Sequence, residues 1–291
     1  MRLVFAVFFF SCLILCFLIA GFYKISPIKL LSDAKELLIE KKNVALNVLQ
    51  ACEVEITSEV FRGSQVFIGH AYGDPNTAKL SDFISSNAEK FMHNYSSLVS
   101  RIVFTGDVFS VPSHDKWKRL RSFASDNVDI IISPGNHDFL RPDSRDVFKQ
   151  SEFASRPYPF EIEVDGASLI IENSIETYWK PSAQAINIAN SAKHDLIIIA
   201  RHNAPIKELS ELVNSKNGMA EDLKTVEELS NDFDNYKSYI WIIGDSGAFA
   251  HMPRISCLTY KNHKFIMNGL GQTNGDSVLL YHDKNIFEYK L

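Results

Sequence analysis

Short apolar segments that end in polar loops recur along the chain, and this pattern constrains its fold more than any other feature. Each segment is rich in Val, Ile and Phe and stops where Gly, Pro, Asp, Asn or His begins, which is typical of a buried strand followed by a turn. The segments are residues 66–68, 101–104, 128–132, 196–200 and 239–243. Stretches with helical spacing lie between them, near residues 81–99, 114–125, 182–192, 206–213 and 220–229. This alternation predicts an α/β fold.

The later part of the chain adds hairpins to this pattern. Two apolar runs at Phe160–Val164 and Ala167–Ile171 flank an Asp-Gly pair, which is a strong hairpin signal. Further strands are predicted at residues 263–267, 277–281 and 285–289. Alternating strands and helices early, with hairpins late, predict two mixed sheets packed together with helices on the outside.

Composition sets limits on the class of protein. The chain has 291 residues, of which 46% are hydrophobic and 12% aromatic, so it can form one large core. Its formal net charge is −5, and it contains no long basic run. We therefore predict no nucleic-acid partner.

The four cysteines do not form a recognisable framework. Cys12 and Cys16 lie inside an N-terminal apolar segment, which leaves Cys52 and Cys257 for the rest of the chain. No Cys-x-x-Cys spacing occurs, so a cysteine-based zinc site is not predicted. We interpret Cys52 and Cys257 as separate buried thiols, with pairing as the alternative for an exported domain.

The N-terminus resembles a membrane segment. Residues 3–22 are apolar and free of charge, which is long enough to span a bilayer as a helix. We predict an anchor over residues 1–23, with a cleaved signal peptide as the alternative. An amphipathic stalk or juxtamembrane helix is expected over residues 24–55, followed by a domain over residues 56–291. This predicts a single-pass membrane protein with an extracytoplasmic domain, although Arg2 before the segment and five lysines after it (Lys24, Lys29, Lys35, Lys41 and Lys42) leave the orientation open.

The loops after the predicted strands carry side chains of the types that commonly bind metal ions. These residues are His70, Tyr72, Asp107, Asn136, His137, His202 and Asp245. Oxygen and nitrogen donors of this kind suit divalent Mn, Fe or Zn ions. A structural zinc site would normally be built on cysteine and is therefore not expected here. We expect the loops to meet at one edge of a sheet and to hold one or two divalent ions per chain.

Three of these loops together resemble the motifs of the calcineurin-like metallophosphoesterases. The match consists of Gly106-Asp107, then Gly135-Asn136-His137-Asp138, then His202 after an apolar strand and before Asn203-Ala204-Pro205. The likeness extends from about residue 66 to near the C-terminus. It implies a four-layer α/β/β/α sandwich of two mixed sheets, two bound metal ions and hydrolysis of a phosphoric ester by a metal-activated water.

The resemblance also implies which residues would bind the metals. Asp107 would bridge the two ions, because it occupies the shared position of the family motif. Asn136, His202 and Asp245 would complete the shell of one ion. This set contains two carboxylates, an amide and an imidazole, which are ordinary ligands for a divalent cation.

Three further residues receive roles at the same site. His137 would face the leaving group or stabilise the phosphate, and Asp138 would orient it. Arg201, next to His202, is a candidate contact for a substrate phosphate, because a guanidinium matches the geometry of phosphate oxygens; the alternative is that this adjacent position on a strand end points away from the site.

Two loops depart from the family pattern. His70-Ala71-Tyr72 occupies the place of Asp-x-His, and Gly244-Asp245-Ser246-Gly247 occupies the place of Gly-His-x-His. The second ion would then depend on His70 and Tyr72, with His251 as a further alternative. One carboxylate is lost at residue 70 and one is gained at residue 245, so we interpret the site as remodelled.

These features predict a membrane-anchored, metal-dependent phosphoesterase. The substrate would be a phosphomonoester or phosphodiester, and an anchor would favour a lipid-linked or envelope-associated one. One alternative is a binding or scaffold protein on the same fold that is inactive or holds a single metal. Another is an unrelated α/β domain in which the motifs occur by chance. Loops that do not converge would establish that last alternative.

Overall fold

The computed structural model describes residues 48–74, 83–123, 128–213, 222–246, 253–271 and 275–291. A compact unit spans Gln50–Leu291. It includes short strands at Gln50–Ala51 and Glu55–Thr57, so the folded unit begins before the predicted boundary at residue 56. The predicted anchor over residues 1–23 and most of the predicted stalk lie outside the described residues.

The prediction of a single-pass membrane protein is contradicted. Among the described residues, no helix is both long and apolar enough to cross a bilayer. The longest of these helices has 10 residues, which corresponds to about 15 Å, whereas a bilayer core of about 30 Å needs about 20 residues. Residues 3–22, on which the prediction depended, are outside the described ranges.

One mixed sheet contains seven of the described strands. These are β1 (Gln50–Ala51), β6 (Phe160–Val164), β7 (Ala167–Ile171), β8 (Leu196–Arg201), β9 (Ser238–Ile243), β10 (Ile255–Tyr260) and β11 (His263–Asn268). Their order is β1-β10-β11-β9-β8-β7-β6. β7, β8, β9 and β11 are parallel, and the other neighbours are antiparallel.

A second mixed sheet contains six strands. These are β2 (Glu55–Thr57), β3 (Gln65–Ile68), β4 (Arg101–Thr105), β5 (Asp129–Ser133), β12 (Ser277–His282) and β13 (Asn285–Lys290). Their order is β2-β13-β12-β3-β4-β5, and β3, β4 and β5 are parallel. All predicted strands are confirmed, and the α/β class with two mixed sheets is confirmed with them.

Helices connect many of these strands. They are α1 (Ser86–Tyr95), α2 (His114–Ser122), α3 (Asn136–Phe139), α4 (Pro142–Lys149), α5 (Ala183–Ser191), α6 (Lys207–Val213) and α7 (Val226–Ser230). Ser85, Ser113, Ser182 and Thr225 each accept a backbone N–H at a helix start, which is the preferred chemistry for that position. The short helices α3 and α4 were not predicted.

Side chains that alternate along a strand separate two parts of the core. Phe67 and Val103 pack with Ile198 between the two sheets. Ile68 faces the opposite way and packs with Trp117 of α2. Because successive strand residues point to opposite faces, each central strand contributes to both layers. The two sheets therefore pack face to face, and helices cover the outer face of the six-stranded sheet.

Candidate metal centre

The polar loops that follow β3, β4, β5, β8 and β9 meet at one end of the facing sheets. The first three strands are parallel, as are the last two, so the carboxyl ends within each set lie together. The sheets are joined there, because His202 Nδ1 donates to the Thr105 carbonyl at 3.1 Å. His70, Tyr72, Asp107, Asn136, His137, His202 and Asp245 lie together there, but they follow strands of two sheets and not of one sheet as predicted.

The Nε2 atom of His202 faces three side-chain oxygens. The Oδ1 atoms of Asn136, Asp107 and Asp245 lie 3.0, 3.5 and 3.7 Å from it. Since Nδ1 donates its hydrogen to a carbonyl, Nε2 is the nitrogen left to bind a proton or a metal ion. Ligands that share one ion at about 2.1 Å are about 3.0–3.4 Å apart. Each of the three oxygens therefore lies close to ligand spacing from His202 Nε2.

The Oδ1 atoms of Asp107 and Asp245 lie slightly farther from His202 Nε2 than two ligands of one ion would lie from each other. Among the described residues, no group of three or more His, Cys, Asp or Glu side chains is already arranged to hold an ion. Asn136 supplies an additional oxygen that such a group does not include. A shift of a few tenths of an ångström, to about 3.4 Å, would bring Asp107 and Asp245 to ligand spacing. The residues thus fit one divalent ion by donor chemistry.

The electrostatics of this group favour a cation. Burial raises the pKa of the Asp245 carboxyl to about 6, despite the nearby imidazole of His202. Burial also acts to raise the pKa of Asp107, but His202, His70 and His137 together lower it below its ordinary value. Burial opposes protonation of His202, yet the two carboxylates raise its pKa. The two buried carboxylates thus raise the pKa of the imidazole between them, and a divalent cation would offset the same negative charge.

Unusual backbone conformations position two of these residues. His70 and Asp107 have φ angles of 50° and 53°, in the left-handed region that non-glycine residues rarely adopt. Beside Asp107, a Cβ on Gly135 would lie 2.3 Å from its Oδ1 and its backbone N, so only glycine allows this approach. Such strained positions cluster at functional sites.

His137 has a defined tautomer. Its Nδ1 donates to the Ser110 carbonyl at 2.8 Å, which leaves Nε2 as an acceptor. The Tyr72 hydroxyl donates to that Nε2 at 3.4 Å. The backbone N–H of His137 donates to Asp107 Oδ1 at 2.9 Å. His137 is therefore held at the edge of the donor group with one basic nitrogen facing the site.

The residues expected at a second ion are also present, with less favourable chemistry. His70 Nε2 lies 3.8 Å from Asp107 Oδ2, and burial lowers the pKa of His70 to about 4. The rings of His70 and Tyr72 are 4.3 Å apart, and burial raises the pKa of the Tyr72 phenol. A neutral phenol is a weak ligand. Gly247 and His251 lie outside the described residues.

Asp138 is not the group that orients His137. Its buried carboxylate accepts the backbone N–H of Gly135 at 3.0 Å and that of Val108 at 3.2 and 3.3 Å. The imidazole is oriented by the Ser110 carbonyl instead. Burial, reinforced by a neighbouring carboxylate, raises the pKa of Asp138 to about 7. Asp138 therefore connects two loops of the site through their backbones.

The prediction that Arg201 contacts a substrate phosphate is wrong. Its side chain is 0% exposed and forms an ion pair with Glu172 at 2.7 Å. Nε donates to the Asn203 carbonyl at 2.8 Å, and Nη2 donates to the Trp179 carbonyl. Arg201 is the last residue of β8 and His202 the next residue along the chain, and the contacts of Arg201 with Glu172 and Trp179 direct its side chain away from the donor group.

The sequence did not indicate the role of Asn203. It is buried, and its Nδ2 donates to Asp245 Oδ2 at 2.8 Å. Its Oδ1 accepts from the Ser174 hydroxyl at 3.1 Å. Asn203 directly follows His202, and this adjacency is the sequence feature from which its role near the site could have been predicted. Ser174 and Ser110 give no signal, because they act through long-range contacts.

The chain was also compared with known proteins. No protein-family model matches it, and no curated protein matches it either.

Proposed function

We propose that this protein is a metal-dependent phosphoesterase of the calcineurin-like metallophosphoesterase type that hydrolyses a phosphomonoester or a phosphodiester. The observation that carries the proposal is the arrangement of Asp107, Asn136 and Asp245 oxygens around His202 Nε2 at 3.0–3.7 Å. The order of the motifs along the chain supports the same family. The two facing mixed sheets are compatible with its sandwich fold.

The chemistry follows from these residues. A divalent ion held by the four donors would neutralise phosphoryl oxygens and lower the pKa of a water molecule. Asp107 and Asp245 supply the negative charge that binds the ion, and Asn136 adds a neutral oxygen. His137 Nε2 would accept or return a proton at the reacting group, and the Ser110 carbonyl that accepts from Nδ1 supports this role.

The test measures bound metal and hydrolysis separately. We expect the purified chain to retain Mn, Fe or Zn in elemental analysis and to hydrolyse 4-nitrophenyl phosphate or bis(4-nitrophenyl) phosphate with Mn²⁺. Asn136→Ala should reduce both metal content and hydrolysis. His137→Ala should keep the metal but lose about 10²–10⁴-fold in rate. Asn187→Ala, on the exposed face of α5, is the matched control.

The proposal fails if the wild-type chain retains no transition metal and hydrolyses neither ester. It also fails if Asn136→Ala and Asn187→Ala behave alike. Both results would show that the four donors do not form a metal centre.

A binding protein with a single metal is the second candidate. It is favoured by one observation, the Tyr72 hydroxyl that donates to His137 Nε2 and so occupies the proton acceptor. This candidate predicts one ion per chain and phosphate binding without turnover. Hydrolysis of either ester that depends on His137 would exclude it.

A further inference from the structure

The hydroxyl of Tyr72 lies beside His137 in the candidate metal centre. It is 3.4 Å from His137 Nε2 and is the donor of that hydrogen bond, because His137 Nδ1 already donates to the Ser110 carbonyl. Tyr72 is 6% exposed, and its ring lies 4.3 Å from that of His70 and 5.1 Å from that of His137. The phenol is therefore held between two imidazoles of the site.

A tight turn after β3 fixes the position of Tyr72. The Gly73 N–H donates to the His70 carbonyl at 3.0 Å, and the His70 N–H donates to the Gly106 carbonyl at 3.1 Å. These bonds join the turn to the loop that carries Asp107. The backbone thus places the Tyr72 ring at the centre, and the hydroxyl hydrogen can change its acceptor by rotation about the C–O bond while the ring stays in place.

The side of Asp107 that faces His70 is a poor place for a second ion. His70 Nε2 lies 3.8 Å from Asp107 Oδ2, whereas ligands that share one ion are about 3.0–3.4 Å apart. Tyr72 keeps its proton and donates it to His137, so it offers no anionic oxygen. Asp245 Oδ1 faces the first position instead. Within the described residues, the second position therefore offers one shared carboxylate and one imidazole, which does not fit a second divalent ion.

The hydrogen bond between Tyr72 and His137 is long, so a stronger acceptor can replace it. Its 3.4 Å length exceeds the usual range for a hydroxyl donor, which ends at about 3.0 Å. A hydrogen bond to an ionised oxygen is shorter and about twice as strong as one between neutral groups. A phosphoryl oxygen that contacts His137 Nε2 is also within reach of the Tyr72 hydroxyl. The exchange would leave His137 Nε2 free to accept a proton.

We infer that the centre binds a single divalent ion and that the Tyr72 hydroxyl takes the place of a second ion by donating a hydrogen bond to a phosphoryl oxygen of the substrate. The inference rests on the proposed function for the presence of that phosphoryl group. The ion neutralises one part of the phosphoryl group, and the phenol contacts an oxygen on the side that faces His137. Tyr72 is then a substrate-binding residue and not a metal ligand.

The test counts bound ions and measures phosphate affinity on the same full chain. Calorimetric titration with Mn²⁺ should give one ion per chain for the wild type and for Tyr72→Phe. With Mn²⁺ bound, Tyr72→Phe should weaken the binding of inorganic phosphate by about 10–100-fold, which corresponds to one hydrogen bond to a charged group.

Tyr281→Phe is the matched control. Tyr281 is also buried, and its hydroxyl donates to the Asp165 carbonyl at 3.0 Å. It pairs with Gln65 at the start of β3, whereas Tyr72 follows the other end of that strand. Its loss of a hydroxyl should leave both the number of Mn²⁺ ions and the phosphate affinity unchanged.

Several outcomes overturn the inference. They are two Mn²⁺ ions per wild-type chain, loss of an ion in Tyr72→Phe, no binding of Mn²⁺ or phosphate by the wild type, and equal phosphate affinities of Tyr72→Phe and Tyr281→Phe. If the chain hydrolyses esters but Tyr72→Phe binds phosphate as the wild type does, the inference alone fails. If phosphate binds through Tyr72 at a centre with one ion but no ester is hydrolysed, the proposed function alone fails.

Discussion

The two nitrogens of His202 have different partners, and this difference decides what the residue can bind. Nδ1 donates to the Thr105 carbonyl at 3.1 Å, so Nε2 alone faces the oxygens of the site. The same principle applies to Asp245, whose Oδ2 accepts from Asn203 while Oδ1 faces His202. Partners that fix the orientation of a ligand are about as important to a metal site as the ligand itself.

Asn203→Ala should therefore weaken the binding of a divalent ion by about 10–100-fold. The substitution removes the donor that holds the Asp245 carboxylate at 2.8 Å. The affinity for Mn²⁺ can be measured by calorimetry, with Asn231→Ala at the exposed end of α7 as control. Thermal unfolding without metal separates a local effect from loss of the fold. Unchanged affinity in folded Asn203→Ala would contradict the expected role.

The ends of strands, rather than their centres, bring the two halves of the site together. β9 ends at Ile243, and a Cβ on the next residue, Gly244, would lie 1.8 Å from the Thr105 carbonyl oxygen of the facing sheet. This backbone contact places Asp245 and His202 opposite Asp107. No side chain can be accommodated without moving one sheet end from the other.

Gly244→Ala should accordingly disturb the candidate metal centre. We expect a loss of about 1–3 kcal/mol in the free energy of unfolding, together with weaker Mn²⁺ binding, because the ligands on either side separate. Gly63→Ala provides the comparison, since it meets nothing within 4 Å but has a φ of +81°. It should cost about 1–2 kcal/mol of stability and leave Mn²⁺ affinity unchanged. Equal metal affinity in the two variants would refute this account, and urea unfolding with calorimetry measures both quantities.

Local patterns predicted most of the strands but missed β1, β2 and β10, and they missed the helices α3 and α4. The hairpin at Phe160–Val164 and Ala167–Ile171 is confirmed with its Asp-Gly turn. Alternating apolar residues specify it within a few positions. By contrast, α3 at Asn136–Phe139 has only four residues, which is too short for a helical period to be recognised.

At the scale of the whole molecule, Cys52 and Cys257 form a disulfide across 205 residues of sequence, with Cα atoms 5.0 Å apart. The interpretation of two separate thiols is wrong. β1 pairs with β10 at the edge of the seven-stranded sheet, and the Cys52 N–H donates to the Cys257 carbonyl at 3.0 Å. Only the pairing of distant strands brings the two sulfur atoms together.

Loss of this disulfide should lower the free energy of unfolding by about 2–5 kcal/mol. The physical reason is that a bond across a long loop restricts the unfolded chain. Urea unfolding of the wild type with and without dithiothreitol measures the difference, and the Cys52→Ser, Cys257→Ser double variant is the control. Reductant should not change the control. An equal urea midpoint for oxidised and reduced wild type would disprove the stabilising role.

The sequence by itself determined the α/β class, most strands, and the loops that carry His70, Asp107, Asn136, His202 and Asp245. These features depend on neighbouring residues, so local periodicity and turn chemistry are enough to specify them. Tertiary structure alone decided that Ser110 orients His137, that Arg201 is buried against Glu172, and that Asn203 holds Asp245. Each of these contacts joins residues distant in sequence, and a one-dimensional pattern does not contain the packing of two sheets that creates them.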